Sequence, residues 1–347
     1  ADEAIQQPRF DGLGRLRWLS DRSGWWRPEG EGIAAEGFAC ADHAPAPWQL
    51  GGRTYLPLAD GEWLLSRFED GRGVLALRQG NGRESRLASG FARFRALAAD
   101  AQRFYCVAAG EDRLPALLAI ERCNGRVQVL GGGEQPLEDA ELSRPKAFTY
   151  PVAGSDRGHG FFYPPRNAQC RGEAGRRPPL VVFLHGGPTS ACYPVFDPRI
   201  QFWTQRGFAV ADLNHRGSAN FGRAYREKLR GQWGRVEVQD IWAAVAYLAA
   251  TGQIDRQRVF VRGASAGGYS ALCALAFVGG FRAGASLYGV SDPLALGRVT
   301  HKFEADYLNW LIGDPQRDAR IYQARTPLLH AARIEAPVIF FQGDLDA

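Results

Sequence analysis

The chain has 347 residues, 45% of them hydrophobic and 23% charged, with a formal net charge of +5. Such a composition suits an ordinary globular protein with a sizeable core, and the length favours two domains. Basic residues are interspersed with acidic ones, without the basic run or basic–aromatic stripe of a nucleic-acid binder, and the apolar stretches fall short of a membrane span.

Residues 10 to about 145 read as many short strands. Turn signals such as "DRSG", "ADGE", "EDGRG" and "AGED" recur about every ten residues, between β-rich runs such as "RTYLPL", "EWLLSRF", "VLALR" and "RFYCVA". "VLALRQGNGRESRL" (74–87) aligns with "LLAIERCNGRVQVL" (117–130), so Asn81-Gly82 falls on Asn124-Gly125. The offset of 43 residues is in the range of one four-stranded propeller blade. Each Asn-Gly is expected to form a hairpin turn with positive φ at both residues. Residues 1–145 are thus expected to form a partial β-propeller of about three blades, cut open on its N-terminal side.

From about residue 146, near "SRPKAFTY", the pattern changes. "PLVVFLHGG" is a buried strand, "FDPRIQFWTQRG" a helix ending at Gly207, and "FAVADLNHRG" a strand. "EVQDIWAAVAYLAATG" is a helix with a stop at Gly252, "RVFVRG" a strand, "GGYSALCALAFV" a helix, and "AGASLYGV" and "APVIFFQGD" strands. This alternation implies a doubly wound, mostly parallel sheet over residues 146–347. "FYPPRNAQCRGEAGRRPP" is a surface connection within it.

Cys40, Cys106, Cys123, Cys170, Cys192 and Cys273 include no Cys-x-x-Cys pair, so buried free thiols are expected, with no metal site or disulfide framework. The chain contains no methionine, so its first residue is not expected to be a translation start. The N-terminus therefore does not report the compartment, and a cytoplasmic location is the working expectation.

"RGASAGGYS" (262–270) places Ser265 in a Gly-x-Ser-x-Gly pattern. With thirteen serines in a glycine-rich chain, the pattern alone carries little weight. Its context carries more: a strand runs directly into Gly263 and a helix starts directly after the serine. On so sharp a turn, side chains at 263 and 267 would collide, and the Ser265 hydroxyl is lifted clear of the sheet's carboxyl edge. The Ala266 amide then stands at the positive end of a helix. Upstream, "LHGGP" (184–188) ends another strand, and paired glycines let the main chain approach a substrate. Gly187 and Ala266 N–H are the expected oxyanion donors for acyl transfer. His185 lies on the donor loop ahead of the serine and is read as structural. A triad of this fold runs serine, acid, histidine, and the acid follows a late strand. In "VIFFQGDLDA", Asp344 and Asp346 both qualify on spacing.

Together these residues resemble the prolyl oligopeptidase family of serine peptidases, its acylaminoacyl-peptidase and dipeptidyl-peptidase branches in particular. The matching pieces are "HGGP", "NHRGSANFG" (214–222), "GQWGRVEVQD" (231–240), "GASAGGY" (263–269), "YGVSD" (288–292) and "THKFEADYLNWLIGDP" (300–315), with "SDRSGWW" typical of the family's propeller. The resemblance implies an α/β-hydrolase domain preceded by part of a propeller. It favours Asp346, three residues after Gly343, as the acid. It implies a substrate wall at Val290, Leu294 and Leu296, and supporting roles for the charges of Arg216 and Asp240. Glu304 and Tyr307 either border the substrate cleft or form an ordinary helix face. The family's histidine follows the acid, and none of His43, His159, His185, His215, His301 and His330 does so. The chain is therefore expected to be truncated at both ends and nearly inactive by itself. The implied activity is hydrolysis of short peptides, with no cofactor, no nucleic-acid or membrane partner, and a homo-oligomer left open. A carboxylesterase and a non-catalytic interaction module are the alternatives.

Overall fold

The computed structural model describes residues 3–33 and 37–346. Its contacts delimit two units: residues 1–145 with 193–198 and 219–225, and residues 146–192 with 199–218 and 226–347.

Short alternating runs punctuated by turns favour local antiparallel pairing, and the first unit consists of three meandering sheets. β1 (Ile5–Phe10), β2 (Leu16–Ser20) and β3 (Arg27–Gly30) make the first. β4 (Tyr55–Pro57), β5 (Trp63–Glu69), β6 (Arg72–Arg78) and β7 (Glu84–Leu87) make the second. β8 (Arg93–Ala99), β9 (Arg103–Ala109), β10 (Ala116–Glu121) and β11 (Val127–Gly132) make the third. Along β9, Phe104, Cys106 and Ala108 are buried while their neighbours are partly exposed, the period-two signature of a sheet packed on one face. These three join Leu64 and Leu75 of the second sheet in one core cluster, so the two sheets pack face to face like propeller blades. The echoed segments form equivalent third-to-fourth strand hairpins, β6–β7 and β10–β11.

Their turns differ from expectation. Gly82 and Gly125 have positive φ, 86° and 73°, but Asn81 and Asn124 do not. The loops are one or two residues longer than a two-residue turn, with Gln79 N bonding Arg83 O (2.8 Å) and Glu121 N bonding Arg126 O (2.9 Å). The asparagine therefore precedes the left-handed position, and its side chain accepts from the amide two residues on (2.9 and 2.8 Å). The cysteines also depart from expectation: all six are free, but Cys40, Cys123 and Cys170 are exposed.

The second unit holds a seven-stranded mixed sheet. β12 (Lys146–Pro151) and β13 (Arg157–Tyr163) form an antiparallel flank. β14 (Leu180–Leu184), β15 (Ala209–Asn214), β16 (Val259–Ala264), β17 (Ala283–Leu287) and β18 (Val338–Phe341) are parallel, in the order β12-β13-β15-β14-β16-β17-β18. Between and beyond them run α1 (Pro198–Thr204), the single turn α2 (Arg223–Arg226), α3 (Val236–Ala250), α4 (Ala266–Phe277), α5 (Pro293–Val299), α6 (Tyr307–Leu311) and α7 (Ala319–Ala324). Strand alternation sorts the core into two layers. Leu180, Val182 and Leu184 face α3 and α4 through Ile241, Val245, Tyr269 and Leu275, whereas Val181 and Phe183 face Ile200 of α1. Each such fully buried aliphatic or aromatic side chain contributes about 1.5–3 kcal/mol. No helix among the described residues is long and apolar enough to cross a membrane.

Candidate active site

Ser265 links β16 to α4 with φ 55° and ψ −123°. A residue with a Cβ at such angles costs roughly 1–3 kcal/mol, so the surroundings must over-determine the turn. They do so through backbone and sterics. Ser265 N donates to Leu287 O of the adjacent β17 (3.0 Å), and Ser265 O accepts from Tyr269 N (3.1 Å). A Cβ at Gly263 would overlap the Gly267 carbonyl, and one at Gly267 would overlap Leu184 O and lie 2.7 Å from His185 O. Both glycines are thus required by contact. Ser265 itself is exposed, although Ala266 to Ser270 behind it are buried. Its hydroxyl has no hydrogen-bond partner among the described residues.

Register brings the glycine loop alongside. Leu184 of β14 pairs with Gly263 of β16, so residues 185–187 emerge next to the serine turn. A Cβ at Gly186 would sit 3.6 Å from Ser265 Cβ. Gly187 has φ 116°, and a Cβ there would lie 2.6 Å from Ser190 N. Neither Gly187 N nor Ala266 N has an acceptor among the described residues. Ala266 opens the twelve-residue α4, whose dipole adds positive potential at that amide. The site therefore presents an exposed hydroxyl on strained backbone, with two amides, one on the glycine loop and one opening α4, that engage no acceptor among the described residues.

The charges and imidazoles around it brace these loops. Arg216 N and Nε donate to the two carboxylate oxygens of Asp240 (2.6 and 2.8 Å), both residues being buried. His185 Nε2 meets Ser218 Oγ at 2.7 Å, and its ring stacks on His215 at 4.5 Å between centroids. Burial pushes the pKa of His185 down to about 4. Burial, and then the neighbouring His185, push His215 to about 3. Both rings are neutral near pH 7, and His185 is committed to Ser218.

Asp346 lies past the end of β18, one strand beyond β17 and not adjacent to β16. It is exposed, its N donates to Gly343 O (3.1 Å), and Oδ2 accepts from Gln342 Nε2 (2.9 Å). Asp344 is also exposed. Val290, Leu294 and Leu296 are half-buried against the main core cluster. Tyr288, just before them, is exposed, with φ 40° and its N donating to Phe341 O (2.6 Å). Glu304 accepts from Thr300 Oγ1 (3.0 Å), and Tyr307 OH meets Thr189 Oγ1 at 2.7 Å. No group of three or more potential metal ligands occurs among the described residues.

Sequence reasoning missed three of these supports. Asn214 clasps the backbone of Cys192 through Oδ1 and Nδ2 (2.8 and 3.1 Å). Glu237, fully buried beneath α4, accepts from Gly234 N (2.6 Å) and Ser270 Oγ (3.2 Å). Thr189–Tyr307 is the third. Asn214 and Glu237 lie inside quoted motifs, but only the fold reveals their partners.

Comparison with known proteins adds a family. Residues 194–347 match the model of the prolyl oligopeptidase family. The chain is 32% identical over 174 residues to dipeptidyl peptidase family member 6 of Caenorhabditis elegans, an alignment covering 48% of this chain and 24% of that protein. It is 31% identical over 190 residues to dipeptidyl aminopeptidase BIII of Pseudoxanthomonas mexicana, covering 52% and 28%. The crystal structure of a puromycin hydrolase superposes with a TM-score of 0.93 at 33% identity, over 97% of this chain and 52% of that one. The chain thus spans about a quarter of the length of these curated relatives and about half of the solved structure.

Proposed function

The chain belongs to the prolyl oligopeptidase family, and from that premise we propose that it carries the nucleophile, acid and oxyanion donors of a serine peptidase acting on short peptides. One observation carries this reading above the others: Ser265 holds a strained positive-φ conformation with its side chain exposed, beside two amides that have no acceptor among the described residues.

In this reading Ser265 Oγ attacks the scissile carbonyl carbon while its proton passes to an imidazole. The carbonyl π-bond opens, and its oxygen takes the negative charge facing Gly187 N–H and Ala266 N–H, each donor contributing about 3 kcal/mol. Collapse breaks the C–N bond, and the imidazolium returns the proton to the departing amine. Water then releases the acyl group by the same steps in reverse order. Asp346 orients the imidazole. Short peptides are the substrate class this reading carries, and a cytoplasmic setting accords with such substrates. The relatives' names support a peptide substrate, one being a dipeptidyl peptidase, one a dipeptidyl aminopeptidase and one a puromycin hydrolase.

The base is a histidine outside residues 1–347. The six present are engaged or distant in role. His43 is bonded to the carbonyls of Trp26 and Ala41, His185 to Ser218, and His330 to Gln323 O. His159 lies on β13 opposite Asn214 of β15, His215 bonds Arg216 O, and His301 faces Glu304 at 3.9 Å. None follows Asp346.

The test compares residues 1–347 with a polypeptide that also supplies the base. A fluorophosphonate should label Ser265 in the latter, which should cleave a peptide p-nitroanilide, an amide as well as esters. Residues 1–347 should be slower by about four to six orders of magnitude. Ser265→Ala should abolish the fast reaction yet hardly change the slow one, because serine and base act as a unit. Turnover by residues 1–347 that vanishes on Ser265→Ala would refute the external base. Absence of labelling in the longer polypeptide would refute the nucleophile.

A further inference from the structure

The loop carrying Gly187 poses a mechanical problem. Gly186 and Gly187 have no side chains, and Pro188 has no N–H, so residues 186–188 offer no side-chain polar group by which to be tethered. The same bareness lets a substrate come close. Any fastening must therefore come from residues on either side. Upstream, His185 meets Ser218 Oγ at 2.7 Å, and downstream Cys192 is clasped by Asn214. Both of those partners come from the segment 214–218, which begins with the last residue of β15.

The fastening nearest to Gly187 on its far side has another origin. Thr189 Oγ1 meets Tyr307 OH at 2.7 Å, across 118 residues of sequence. Thr189 is buried, and Tyr307 packs against the main core cluster and stacks on Trp310 with centroids 6.0 Å apart. The loop between the donor and this hydroxyl is tight: a Cβ at Gly187 would lie 2.8 Å from Thr189 N and 2.6 Å from Ser190 N. Thr189 can hardly shift without moving the peptide plane that aims the Gly187 amide. Since donor strength depends steeply on where the N–H points, a displaced Thr189 should weaken the transition state more than the bound substrate.

We propose that Tyr307 is a positioning residue for the oxyanion donor at Gly187, acting through its hydroxyl on Thr189, an assignment that rests on the reading of Gly187 given above. α6 is then more than a helix face against the core, because its first residue sets the geometry of the loop that carries the donor. Burial raises the Tyr307 pKa to about 12, so the hydroxyl remains protonated and the bond persists throughout the working range.

Tyr307→Phe is the test, because it keeps the ring and its stacking on Trp310 and removes one oxygen. In the polypeptide that supplies the base, kcat should fall about 5- to 20-fold with KM within about twofold. The preference for an oxygen ester over its thiono analogue should narrow, since that ratio reports how well the donors fit the oxyanion. Thr189→Val should match Tyr307→Phe, the double variant should be no worse than either, and Thr189→Ser should keep most activity. Unchanged kcat in Tyr307→Phe would overturn the proposal. So would multiplicative effects of the two substitutions, or a fall in kcat that follows lost thermal stability with the oxygen-to-thiono ratio unaltered. Failure of the unmodified enzyme to be labelled at Ser265 would instead strike the functional reading itself, and this inference with it.

Discussion

Two strand ends on one edge of the seven-stranded sheet carry the proposed nucleophile and acid, and they differ in how much of their surroundings residues 3–346 supply. The turn after β16 is enclosed: every residue from Ala266 to Ser270 is buried, and Gly263 and Gly267 have no room for a Cβ. The arm after β18 is bordered by few of residues 3–346. Phe340 and Phe341 are 62% and 53% exposed, Leu345 is fully exposed, and the nearest neighbour of a Cβ at Gly343 would be Asp346 Cβ at 3.7 Å. Backbone strain persists only where the surroundings forbid relaxation, so the nucleophile requires the enclosed end. A carboxylate that orients an imidazole takes its final position from that partner, so the acid's surroundings are completed by the segment proposed to carry the base.

The comparison can be broken most sharply at the acid. In the polypeptide with its base, Asp346→Asn should lower kcat by about 10⁴, and Asp344→Asn by no more than about threefold, measured on a peptide p-nitroanilide. The reverse pattern would move the acid to Asp344. Next in size is the contrast between two glycines. Gly267→Ala should destabilise the second unit by about 3 kcal/mol or more in denaturant unfolding, whereas Gly343→Ala should stay within about 0.5 kcal/mol. Equal effects would mean that the two ends are not built differently.

The subtlest expected effect concerns the buried support beneath α4. Burial raises the pKa of Glu237 from 4.5 to about 7, and Asp240 on the same helix adds to the rise, countered by Gly234 N and Ser270 Oγ. Tyr269 and Cys273 of α4 and the Arg325 guanidinium also face it. A carboxyl whose folded pKa lies above its unfolded one favours folding at low pH, and that stability is lost as pH rises from about 4.5 to about 7. The loss is roughly 3 kcal/mol. Glu237→Gln removes this falling term, so melting temperature should rise more steeply with pH in that window than it does in the unmodified protein. His185 and His215, with depressed pKa values, work in the opposite sense: their contribution is present above pH 6.5 and fades as pH falls towards about 4. The Gln variant should therefore leave acid destabilisation intact, and a variant with an unchanged slope between pH 4.5 and 7 would remove Glu237 from the account.

Features governed by local sterics were legible in the sequence. Gly263 and Gly267 announce a turn that tolerates no side chain, and the strand–helix alternation from residue 146 announces the sheet. Loop length blurred the Asn81-Gly82 and Asn124-Gly125 turns, because the dipeptide looks the same whether one residue or both take positive φ. Composition could not distinguish the exposed Cys40 from the buried Cys106. The Thr189–Tyr307 bond and the His185–His215 stack were invisible for another reason. They join residues far apart in the chain, so neither partner carries a local signature of the other. The resemblance pointed to Val290, Leu294 and Leu296 as a wall, but only the fold shows them turned partly into the core, with Tyr288 exposed instead.

The central claim is geometric, and a crystal structure of the phosphonylated protein tests it directly. The phosphonyl oxygen attached through Ser265 Oγ should lie about 2.7–3.1 Å from both Gly187 N and Ala266 N. An adduct whose oxygen points to solvent, more than about 4 Å from Gly187 N, would contradict the account, as would an adduct on any other residue.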